Sequence, residues 1–188
     1  MSRVTLPRRH RARAAILGFL VGVPVLSSCS GPVSGAVPKC GAVERVALIA
    51  QSVPTTSYVP CISALQPGWS STDLHTQDGG TRFTLSSDRS PDHPVHVVLT
   101  PSCSIGTATP IAPRTPGGRT YLSLNSIDPR YAGTMYDVFP GGCVSYRFDF
   151  ERGAHIPLMA QLQSIVGFVP RQQLRLDVQR QLGVRLDP

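Results

Sequence analysis

Along residues 143–150 (CVSYRFDF) the apolar side chains Val144, Tyr146, Phe148 and Phe150 alternate strictly with Ser145, Arg147 and Asp149. A period of two sends neighbours to opposite faces of an extended chain, so this stretch predicts a strand with one buried face. The same alternation, shorter, marks residues 81–87 (Phe83, Leu85), 95–100 (Val95, Val97, Leu99) and 120–124 (Leu122, Leu124). Asp78-Gly79-Gly80 is a hairpin turn into the first of these, with a weaker strand at residues 71–76 leading in.

A longer period takes over near the end. Pro157 suits a first helical position, and Leu158, Leu162, Ile165, Val166 and Val169 follow on one helical face until Pro170 interrupts it. Leu174, Val178 and Leu182 form a second stripe with Gly183 placed to cap it, and Arg171, Arg175 and Arg180 fall off that stripe as a solvated face. Residues 43–53 (VERVALIAQSV) are apolar nearly all round and are read as a buried helix ending at Pro54. Residues 104–118 are rich in Pro, Gly and Thr and predict a loop, and residues 128–142 (DPRYAGTMYDVFPGG) read as an aromatic loop. The expected architecture is one α+β domain over residues 40–188: an antiparallel sheet of about four to five strands, two C-terminal helices packed on one face, and two disulfides.

The first 28 residues have a different character. Arg8, Arg9, Arg11 and Arg13 precede an apolar run of 13 residues, 14–26, which fits an export signal and falls short of the roughly 20 residues a membrane-spanning helix needs. The run ends in Leu26-Ser27-Ser28-Cys29, which resembles the lipobox of bacterial lipoproteins. That resemblance implies a diacylglycerol on the Cys29 thiol, cleavage before it, and a chain held by acyl groups that each buried CH₂ stabilises by about 0.8 kcal/mol. Residues 29–39 then read as the lipidated cysteine and a tether.

Composition alters the picture twice. The whole chain carries a net charge of +7, but residues 1–28 hold five Arg and no acid; from Cys29 onward 13 basic residues face 11 acidic ones, which removes the case for nucleic acid. Cys40, Cys61, Cys103 and Cys143 are an even set in an exported chain and predict two disulfides. Cys103 follows one strand and Cys143 begins another, so Cys103 with Cys143 and Cys40 with Cys61 is the preferred pairing. No CxxC or CxxH spacing suggests zinc.

Chemistry is sparse. His93 and His96 fall on opposite faces of an extended chain, with Pro94 between them preventing a helix, so no metal site is expected there. His155 stands without a Gly-x-Ser-x-Gly elbow or any other local catalytic signature, and Asp149 with Glu151 has Arg147 beside it as a simple ionic partner. No catalytic residue, metal or cofactor is expected. Trp69, after Pro67-Gly68, and Tyr131 and Tyr136 in the aromatic loop are the candidate recognition surface, although a lone tryptophan in a small domain is more often a core residue.

With "VLSSC", its cysteine spacing and "CVSYRFDF", the chain is similar to the short four-cysteine exported lipoproteins of high-GC Gram-positive bacteria. The resemblance implies a place at the outer face of the cytoplasmic membrane and no particular reaction. The leading expectation is a non-enzymatic domain binding an envelope or membrane protein. A carrier of lipid or another apolar ligand, its cavity lined by the strands and residues 43–53, comes second. A cell-wall hydrolase using His155, His96 or His75 comes third.

Overall fold

The computed structural model describes residues 33–186; Cys29 and the export segment lie outside the described residues. In chain order the elements are β1 (Val33–Gly35), α1 (Val43–Ser52), β2 (Tyr58–Ile62), β3 (Trp69–Gln77), β4 (Gly80–Ser87), β5 (Ser90–Thr100), β6 (Thr109–Ile111), β7 (Arg119–Ser126), β8 (Arg130–Phe139), β9 (Gly142–Glu151), α2 (His155–Ile165), β10 (Val166–Pro170) and α3 (Arg171–Leu182). Eight strands form one antiparallel sheet in the order β1-β3-β4-β5-β9-β8-β7-β6, and β10 pairs with β2 in a second, two-stranded sheet. No helix among the described residues is long and apolar enough to cross a membrane.

The fold is therefore a β-rich sandwich, which corrects the expected sheet of four to five strands with two C-terminal helices on one face. The central strands were legible, because each has one apolar face. Phe83, Val97, Tyr146, Met135 and Leu122 stand opposite one another in one row across β4, β5, β9, β8 and β7, and Phe83, Val97, Met135 and Tyr146 are all within 2% of full burial. The strand β8 was hidden. Its core-facing positions are Gly133, Met135, Asp137 and Phe139, and a glycine and an acid in that series break the alternation that marks a half-buried strand.

The end of α2 is corrected as well. The apolar stripe runs through Val169, yet the helix stops at Ile165 and Val166–Pro170 is extended against β2, with Phe168 opposite Pro60. Gly167, the β-branched Val166 and Val169, and the bias of a pre-proline residue away from helix all favour that outcome, and β2 supplies the hydrogen-bonding edge. In the presumed loop 104–118, residues Thr109–Ile111 pair with β7 as a short edge strand. The tether is shorter than its reading to residue 39: Val33–Gly35 pairs with β3, and Val37 is buried.

Helix α1 forms as expected and buries Val43, Val46, Ala47, Ile49 and Ala50, one face at helical spacing. It packs against α3, β2, β3 and β4. Helix α3 ends at Gly183 in the left-handed conformation (φ 68°), its N–H donating to the Gln179 carbonyl. Arg171 departs from the solvated face assigned to it: it is 7% exposed and its Nη1 donates to the Ala50 carbonyl at 2.8 Å. A long polar side chain is buried there because the last turn of α1 presents a carbonyl with no helical N–H to accept from.

Two disulfides close the structure, Cys40–Cys61 with Cα atoms 4.9 Å apart and Cys103–Cys143 with Cα atoms 5.8 Å apart. The second follows from sheet register, since Thr100 at the end of β5 stands opposite Cys143 at the start of β9.

Candidate functional site

Of the charged groups in the interior, Arg114 has the fullest set of partners. It lies between β6 and β7, in the stretch read as loop, and reaches across the inner face of the sheet. Its Nη1 donates to Asp137 Oδ2 at 2.7 Å and to the Tyr146 hydroxyl at 3.0 Å. Its Nη2 donates to the carbonyls of Gln163 and Val166, each at 2.6 Å. The guanidinium also lies over the rings of Tyr146 and Phe168, 5.5 and 5.4 Å from their centres. The other Asp137 oxygen accepts from Thr120 Oγ1 at 2.7 Å, and Thr120 accepts from the Arg114 backbone N–H.

Each member is placed by a separate element: Thr120 by β7, Asp137 by β8, Tyr146 by β9, and the two carbonyls by the α2–β10 junction. Burial is the largest influence on the Tyr146 phenol and, with the negative charge of Asp137, pushes its pKa well above the usual value. Arg114 is desolvated as well, but Tyr146 and Asp137 more than offset this and raise its pKa. With four guanidinium hydrogen bonds committed inside the protein, the group clamps the 112–118 segment and the α2–β10 junction onto the sheet.

Beside it opens a cleft of ≈620 Å³, walled by Tyr58, Ser63, Thr115, Gln163, Ser164 and Phe168. Its wall residues Tyr58 and Phe168 pack edge-to-face with each other and with Phe139, and the Tyr58 hydroxyl donates to the Pro116 carbonyl at 3.0 Å. A second cleft of ≈590 Å³ includes Ser57, Gln172 and Arg175.

The predicted recognition residues are dispersed. Trp69 is 7% exposed in β3 and its indole N–H donates to Gln161 Oε1 at 2.9 Å, so it belongs to the core. Tyr131 is half-buried at the start of β8, stacked on Phe148 and His155 with ring centres 5.6 and 4.4 Å away. Tyr136 points to the opposite face of the same strand, where it stands across from Tyr121. An odd spacing of five along a strand separates Tyr131 from Tyr136.

The titratable candidates are likewise apart. The His155 ring contacts the Arg152 carbonyl, His75 contacts Gln77 at 3.2 Å, and His96 faces Thr84 at 3.5 Å. Asp149 takes Arg130 as its partner (Nε to Oδ1, 2.6 Å) with His93 at 3.6 Å, which corrects the pairing with Arg147. Residues two apart on a strand share a face but stand about 7 Å apart, whereas Arg130 reaches diagonally from the adjacent strand. Among the described residues no group of three His, Cys, Asp or Glu side chains could hold a metal.

Sequence reasoning missed Arg114 entirely, because the partners of its guanidinium lie 23 or more residues away along the chain and no local motif joins them. Tyr121 could have been found: alternation in 120–124 already sends it outward, but its neighbour Tyr136 is placed only once β8 is known to be a strand. No family model, no curated protein and no solved structure matches the chain.

Proposed function

We propose that the chain is a lipid-anchored, extracytoplasmic binding domain: exported on residues 1–28, acylated at Cys29, and docking an envelope or membrane protein without catalysing a reaction. The observation that carries it is the pair of disulfides, which commits Cys40, Cys61, Cys103 and Cys143 to each other. Such bonds persist in oxidising compartments, and Cys29 at the lipobox-like motif is the remaining cysteine of the five. Strand β1 begins four residues after Cys29, a covalent reach of at most about 14 Å, so acyl chains there hold the sheet edge close to the bilayer.

Binding is favoured over catalysis because the charged residue lining the larger cleft, Arg114, spends its donors on internal acceptors. The carrier reading needs residues 43–53 as cavity wall, but Val46, Ile49, Ala50 and Val53 are wholly buried in the packed core. The test is fractionation and intact mass of the full chain beside Cys29→Ala. Membrane-bound wild type carrying a diacylglyceryl mass, with soluble and unmodified Cys29→Ala, supports the proposal. Soluble, unmodified wild type overturns it.

A further inference from the structure

Alternation leaves the large sheet with a second face, turned away from the core. Across it Arg82, Val98, Ser145, Tyr136 and Tyr121 stand in one row, each opposite the next on β4, β5, β9, β8 and β7. The adjacent row holds His96, Arg147 and Thr134. Val98, Ser145, Tyr136 and Tyr121 are half-buried, whereas Arg82, His96, Arg147 and Arg119 are exposed. Arg82 and Arg147 are separated by two strand spacings, about 10 Å across the sheet.

The charge on this face is unbalanced. Among the described residues Arg82, Arg119 and Arg147 form no ion pair; of the two acids that β9 places on the same face, Asp149 is taken by Arg130, which leaves Glu151, at the end of the strand, against three arginines. Guanidinium forks match carboxylates in shape as well as charge. A patch with tyrosines and valine at its centre and arginines around it has the anatomy of a protein–protein interface, an apolar core within a polar rim. The large apolar side chains that are most exposed, Ile127, Ile156, Leu176 and Val184, lie in turns and helices outside this face, so it offers little to insert into lipid.

We infer that this face, centred on Tyr121 and Tyr136 and rimmed by Arg82, Arg147 and Arg119, docks an acidic surface of a partner protein. The inference rests on the binding-domain reading and assigns it a face and a partner chemistry. The test places a benzophenone amino acid at Tyr136 of the full chain in the cells that make it, and separately at Leu176 on α3. Each is cross-linked by light with the rim intact, with Arg82→Glu plus Arg147→Glu, and with Arg175→Glu as a charge control. Because the two rim residues are exposed, the variants are expected to keep both disulfides and the wild-type melting temperature, which is measured as the control.

Adducts from Tyr136 to a protein through an acidic peptide, reduced at least tenfold by the double reversal and unchanged by Arg175→Glu, are expected. Adducts to lipid or glycan, a cross-linked peptide without acids, or indifference to the double reversal overturn the assignment. Protein adducts from Leu176 alone overturn this face while leaving the binding-domain reading; adducts from neither position overturn both.

Discussion

Arg114 Nη1 lies 2.7 Å from Asp137 Oδ2, joining a residue between β6 and β7 to the buried inner face of β8. The Asp137 side chain is 2% exposed, against 13% for that of Arg114, which borders the cleft, so the carboxylate cannot turn to water if Arg114 is removed. Arg114→Ala is expected to destabilise the protein by about 3–5 kcal/mol, the usual cost of stranding one member of a buried pair. Arg114→Lys recovers less than half, since an ammonium cannot reach both side chains and the two carbonyls together. Urea denaturation of the three proteins checks this; a loss below about 1 kcal/mol for Arg114→Ala would show the clamp to be dispensable.

The same network predicts an alkaline limit to stability. Tyr146 has its pKa raised well above the ordinary phenol value of 10.0, by burial first and by Asp137 second. Unfolded chains lose this proton near that ordinary value while the folded protein keeps it, so above it the folded state binds more protons and stability falls as pH rises. Below it the contribution is complete. Melting temperatures measured from pH 8 to 11 are expected to fall above pH 10 in wild type, and less steeply in Tyr146→Phe. Parallel profiles would remove Tyr146 as the cause.

The two disulfides differ in the loops they close, with sequence separations of 40 for Cys103–Cys143 and 21 for Cys40–Cys61. Loop-closure entropy assigns about 4 and about 3 kcal/mol to them. Paired Cys→Ala replacements should therefore lower stability in that order, read as midpoints of chemical denaturation. A larger loss at Cys40–Cys61 would mean that its position, linking the segment before α1 to β2, outweighs loop length.

Trp69 is the single tryptophan of the chain and reports on the core. Native fluorescence is expected to be blue-shifted and poorly quenched by acrylamide, moving to the red on unfolding. Trp69→Phe removes the hydrogen bond to Gln161, a loss of about 1 kcal/mol, whereas Trp69→Ala costs about 3–5 kcal/mol through the void it leaves. Emission already red and readily quenched in the native protein would return Trp69 to the surface.

What the chain determined by itself were the features set over a few residues. The alternation in β9, the apolar face of α1 and the glycine closing α3 could be read directly, because burying one face of an element imposes its own period on the sequence. The count of cysteines likewise announced two disulfides. The lipobox-like motif at Cys29 is local in the same sense, and its consequence stands as a proposal.

Tertiary structure decided the rest. Whether Val166–Pro170 continued a helix depended on β2, 104 or more residues earlier at Ile62, offering an edge to pair with. Asp137 concealed β8 from its own sequence, because a core-facing acid is tolerable only beside Arg114 and Thr120, whose proximity arises from the folded sheet. The same folding carried Trp69 inward, turned Tyr131 and Tyr136 to opposite faces, and set Tyr136 beside Tyr121. Side-chain period reveals which face of a strand is dry, but cross-strand register alone determines which residues share a surface, and register is a property of the whole sheet.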